Sequence, residues 1–141
     1  MKIFTALFVI LLATYAMGVV SFDADRKLID DVVLIREAEQ KILQLAFSAP
    51  VRLVGSYPES TGDIAQIKLG VIAFGQFDKN LSLLEQFVGV EEGKEIHMTH
   101  MQYEGNVPGG PFLVMKFDRK VHWKVSEGEG LLGMNIEVKE L

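Results

Sequence analysis

The chain has 141 residues, 49% hydrophobic and 23% charged, a balance that excludes wholesale disorder, a collagen-like rod and a multidomain enzyme. Its formal charge is −5, and no segment gathers Lys and Arg into a stripe, so direct binding to a phosphate backbone is disfavoured. It contains no cysteine, which excludes thiol catalysis, Cys-ligated zinc, redox switching and a disulfide scaffold.

The amino terminus reads as an export leader. Lys2 is the one charge before Asp23, and Ile3 to Ala16 form an apolar core. Small residues then offer two cleavage sites, Ala16-Met17-Gly18 and Val19-Val20-Ser21. The competing reading is an uncleaved anchor, since twenty uncharged residues just span a bilayer. Thr5, Thr14, Tyr15, Gly18 and Ser21 dilute the run, and no basic stop-transfer cluster follows, so residues 1–21 are expected to be a signal peptide rather than a stable membrane anchor. About 120 residues remain to fold, enough for one unaided core.

Residues 22–50 have a helical period. Leu28, Val32, Ile35, Ile42 and Leu45 recur at spacings of three, four or seven, with Asp23 or Asp25 as a cap and Pro50 as a stop. The pattern predicts one amphipathic helix over 25–47. From 51 the period shortens. Val51 to Gly55 predicts a short strand, and Tyr57 to Asp63 a turn-rich loop. Ile67, Leu69, Val71 and Ala73 alternate with Gln66, Lys68, Gly70 and Ile72, which predicts a strand over 64–74. Leu81 to Val90 fits helix or strand equally. A strand is predicted over 95–103, and after Pro108-Gly109-Gly110-Pro111 two hairpin-like partners follow, 112–117 and 120–126. Gly128, Gly130 and Gly133 interrupt the chain before a last strand in which Met134, Ile136 and Val138 alternate with polar residues. The expected architecture is mainly β (α+β). An amino-terminal helix precedes a β-rich domain over 51–141, an antiparallel sandwich or partial barrel of six or seven short strands.

Chemistry-bearing patterns are sparse. His97 and His100 share a helix face only if that segment is helical; on a strand they oppose one another, and His122 reaches one of them at most. Ser56 lacks the second glycine of a nucleophile elbow, and Ser126 lies four residues from His122 without further support. Gly128-Glu129-Gly130 places an acid where an anion cradle needs bare amides. The acidic pairs Glu91-Glu92 and Glu127/Glu129 read as solvated turn residues. The basic stretch Lys116, Arg119, Lys120 and Lys124 reads as a solvated strand edge. No catalytic residue, metal ligand or cofactor is therefore expected. Asn80-Leu81-Ser82 is an N-glycosylation acceptor, expected on a loop after Asp78-Lys79. Met98, Met101, Phe112, Met115 and Trp123 read first as core and second as contacts for a partner or an apolar ligand.

Three segments carry a likeness to a known family. They are Leu53-Val54-Gly55-Ser56-Tyr57 with Gly62-Asp63, then Asn106-Val107-Pro108-Gly109-Gly110, then Val121 to Ser126 with Gly128, Gly130 and Asn135-Ile136-Glu137-Val138. Through them, residues 51–141 resemble the secreted-type arthropod proteins named for multiprotein bridging factor two. The resemblance implies a coactivator that links a DNA-bound factor to the general transcription machinery. The leader implies another compartment. The leading expectation is thus a secreted, non-enzymatic, β-rich binding protein with an unidentified partner; the alternatives are that coactivator and a carrier of a small apolar molecule.

Overall fold

The computed structural model describes residues 27–141; the expected leader, and the expected helix start with its Asp23 or Asp25 cap, lie outside them. The chain runs through β1 (Ile29–Glu37), β2 (Gln40–Phe47), β3 (Val51–Tyr57), β4 (Thr61–Val71), α1 (Gln76–Ser82), β5 (Glu85–Phe87), a 3-10 turn (Gly93–Ile96), β6 (Met98–Glu104), β7 (Phe112–Glu127), a second 3-10 turn (Glu129–Leu131) and β8 (Gly133–Glu140). All eight strands belong to one antiparallel sheet that does not close on itself. Its main path is β1-β2-β8-β7-β4-β3, and β6 pairs with both β5 and β7.

The expected helix over 25–47 is corrected. Residues 29–47 form a hairpin, with Leu34 opposite Leu43 and Glu37 opposite Gln40 across the two-residue turn Ala38-Glu39. Ala38 takes φ 53°, as tight strand reversals require. The misreading has a physical origin. A spacing of four, as from Leu28 to Val32, is even and satisfies the strand period as well as the helical one. The strand signal lay in β2, where Leu43, Leu45 and Phe47 are buried in strict alternation. Nor does this segment stand apart, because β2 pairs with β8 from Lys41↔Val138 to Ala46↔Gly133.

A second correction concerns β7. Residues 112–117 and 120–126 are one strand of 16 residues rather than two hairpin arms. Its first half pairs with β6 and its second half with β8, so these two strands lie end to end along one side. Strand β4 occupies the other side, from Lys68↔Phe112 to Thr61↔His122. The basic residues 116–124 therefore sit on an interior strand, and their expected place on a sheet edge is overturned. The 81–90 ambiguity divides: α1 ends at Ser82 and β5 spans Glu85–Phe87.

Five odd-numbered residues of β7 point into the core, while Arg119 and Glu127 stay exposed. Leu113, Met115, Phe117, Val121 and Trp123 pack with Leu43, Ala65, Ile67, Leu69, Met101, Tyr103, Met134 and Ile136 in one continuous cluster. Trp123 stacks on Phe117 with ring centroids 6.2 Å apart, and its indole N–H donates to Ser56 Oγ at 2.9 Å. No charged side chain is buried among the described residues.

The two ends of the path β1-β2-β8-β7-β6-β5 meet through a side chain. Gln86 Oε1 accepts from the backbone N–H groups of Leu28 and Ile29, each at 3.1 Å, and Gln86 Nε2 donates to Ile29 O at 2.9 Å. One amide thus stands in for a missing strand ladder between β5 and β1.

Candidate functional site

The outward face of β5, β6, β7, β4 and β3 forms a grid that the registers define. Its middle row runs Phe87, Gln102, Val114, Gln66, Tyr57, one residue per strand. The row on one side is Glu85, Glu104, Phe112, Lys68, Gly55, and on the other His100, Lys116 and Ile64 are adjacent. Four inter-strand spacings separate the end residues, roughly 19 Å.

Local chain features set this face. A register shift between Leu53 and Gly55 inserts Val54 as a bulge residue in β3. It reverses the later residues, so that Ser56 points inward to Trp123 while Tyr57 points outward beside Gln66. Gly55 then matters for space: a Cβ there would lie 3.2 Å from Tyr57 Oη, so the phenol ring folds back over the glycine. Tyr57 and Phe87 are 55% and 72% exposed, whereas Val114 between them is almost fully covered.

Polar groups hold one end of the row in order. His100 Nε2 lies 3.0 Å from Gln102 Oε1, and Gln102 Nε2 donates to Glu85 Oε1 at 3.1 Å. Phe87 meets His100 edge-on, at 5.6 Å between centroids. A groove of about 250 Å³ continues from Phe87 past Val88, Met98 and Met101. Gln66, at the other end, makes no side-chain hydrogen bond among the described residues, leaving its amide open to a partner. The charges near the row are Glu85 and Glu104 against Lys68 and Lys116, so the face is close to electrically balanced.

A second polar corner lies at Asp118 in the middle of β7, where the register with β4 shifts between Gly62 and Ile64. His97 adopts φ 61°, and its ring stands between Asp118 Oδ1, 3.6 Å from Nδ1, and the Glu140 carboxylate at Nε2. Asp118 N–H donates to His97 O at 2.8 Å, tying β7 to the end of the first 3-10 turn. The His97 hydrogen bond, then its charge, holds the Glu140 carboxyl below the usual range. Alongside, Arg36 Nε donates to Glu95 Oε2 at 2.7 Å and Lys41 Nζ to Glu95 O at 2.9 Å; Lys41 and Glu95 line a cleft of about 220 Å³ together with His97 and Glu140.

The residues singled out from sequence are dispersed. Met98, Met101, Met115 and Trp123 lie within the core cluster, while Phe112 is partly buried on the outward grid. Asn80 is in the last turn of α1, not on a loop, and accepts from Gln76 Nε2 at 3.0 Å across one helical turn. The histidines diverge. His97 faces Glu140, His100 faces Gln102, and His122 Nδ1 lies 3.1 Å from Thr61 Oγ1. Among the described residues no three His, Asp or Glu side chains converge as metal ligands. Ser56 is engaged on both sides, accepting from Trp123 and donating to Pro58 O at 3.0 Å.

Sequence reasoning missed Tyr57, Gln66, Phe87 and Gln102 as one surface. The only signal for it was the exposed parity of each strand, and that parity becomes a row only once the register is known. The 51–141 likeness remains a resemblance carried by turn glycines and short strand segments. Compared with protein-family models, with curated proteins and with solved structures, the chain gave no match.

Proposed function

We propose that this chain is an exported, non-enzymatic protein that acts by binding, with the β5-β6-β7-β4-β3 face as its contact surface. We read the sheet as a partial barrel whose ends are joined at Gln86. The observation that carries the proposal is the row Phe87, Gln102, Val114, Gln66, Tyr57, with an exposed aromatic at each end. Exposed aromatics rimmed by polar groups mark interaction surfaces, because they bury much area at little rotamer cost. The leader-like residues 1–21 support export.

The test is to collect the protein from the medium of expressing eukaryotic cells and sequence its amino terminus. A mature start at Val19 or Phe22, with no turnover in an ester, glycoside and peptide screen, is the expected result. Turnover would end the non-enzymatic reading. Intact 141-residue protein in the nucleus would favour the coactivator instead.

A further inference from the structure

We propose that Asn80 carries an N-linked glycan. The proposal rests on the export reading, since the sugar donor is met only in the secretory lumen. Asn80-Leu81-Ser82 is the chain's single Asn-X-Ser/Thr triplet. The fold presents it favourably. Asn80 is exposed, its Oδ1 accepts from Gln76, and its Nδ2, the atom that takes the sugar, makes no hydrogen bond among the described residues.

The rest of the triplet secures the helix from beneath. Leu81 is 1% exposed, and Ser82 O accepts from Tyr103 Oη at 2.6 Å, tying the end of α1 to β6. A glycan on Asn80 therefore extends into solvent without displacing a core group. It also stands beside Leu83, which is half exposed and follows directly on α1. A polar, hydrated sugar there covers apolar surface at one end of the molecule.

The step is a substitution at the anomeric carbon of a lipid-pyrophosphate-linked oligosaccharide. Asn80 Nδ2 forms the new N–C bond and loses one proton to a base of the transferase. The C–O bond to the pyrophosphate breaks, and its electron pair leaves with the lipid pyrophosphate. No oxidant or reductant is needed.

The full chain is expressed in cultured eukaryotic cells with its own leader and, in parallel, with residues 1–21 replaced by a leader of known export activity. Gel mobility of the exported protein is read before and after peptide-N-glycosidase. One glycan's mobility shift is expected in both forms, absent in N80Q and in S82A and retained in S82T. Exported protein of either form that does not shift overturns the glycan alone. If the native-leader form stays in the cytosol while the other is exported and shifts, the export reading fails and takes the glycan with it.

Discussion

Replacing Gln86 with alanine removes three hydrogen bonds and tests whether one side chain holds β5 against β1. The variant strands the N–H groups of Leu28 and Ile29, residues 0% and 2% exposed, together with Ile29 O. Each buried group left unmade costs about 1–3 kcal/mol. Three such penalties do not add fully, because Leu28 and Ile29 lie at the start of an outer strand and local opening rehydrates part of the loss. A net destabilisation of about 2–4 kcal/mol is therefore expected, a large share of the roughly 5–15 kcal/mol that holds a domain together. Gln86→Glu is the informative companion. Its ionised carboxylate still accepts from both N–H groups but cannot donate to Ile29 O, so at neutral pH its loss is intermediate. On protonation the carboxyl regains a donor. The assay is urea unfolding, with amide exchange followed at residues 28 and 29. A Q86A loss below about 0.5 kcal/mol, with those two amides still protected, would refute the reasoning.

Ser56→Ala leaves the Trp123 N–H without its acceptor in the core, so a loss of about 1–3 kcal/mol is expected, with altered emission from the chain's single tryptophan; unchanged emission and stability would count against that bond. Gly105→Ala is expected to destabilise by more than about 2 kcal/mol, because a Cβ there would lie 2.3 Å from Ser82 O and 2.5 Å from Leu84 O, both rigid backbone; a urea midpoint equal to that of the parent would contradict it. Hydrogen bonds from Arg36 and His97 hold the Glu95 and Glu140 carboxyls below their ordinary values near 4.5. Stability from a lowered carboxyl is present above the ordinary value and lost as pH falls through the folded one, so the melting temperature should drop on acidification, less steeply in E95Q/E140Q. Burial raises the Tyr103 phenol, so the folded state favours its neutral form and loses stability as pH rises past about 10. Absorbance at 295 nm should show a phenol that ionises together with unfolding and disappears in Y103F.

Strand content after residue 50 was legible because alternation is a local property. Val51, Ile67, Leu69, Leu113, Met115, Val121 and Trp123 announce their buried parity within their own segments. The hairpin over 29–47 was not. Its even apolar spacings serve either period, and only pairing of β2 with β8 rewards the extended choice. The continuity of β7 was hidden for a related reason. Asp118, Arg119 and Lys120 look like a polar turn, yet Phe117, Val121 and Trp123 keep the same inward parity across them. The candidate surface was the least legible part, because its row draws one residue from each of five strands.

By itself the sequence determined what short-range chemistry can decide: a cysteine-free chain with a leader-like start, a β-rich body, an apolar parity for most strands, and one glycan acceptor triplet. Tertiary structure alone decided which strands meet. It made β7 the strand shared by β4, β6 and β8, turned Ser56 inward and Tyr57 outward through one bulge residue, and set Gln86 where β1 needed partners. The physical reason is that a backbone hydrogen bond carries no side-chain label. Strand partners are chosen by the combined burial of faces far apart along the chain, and no local window contains that quantity.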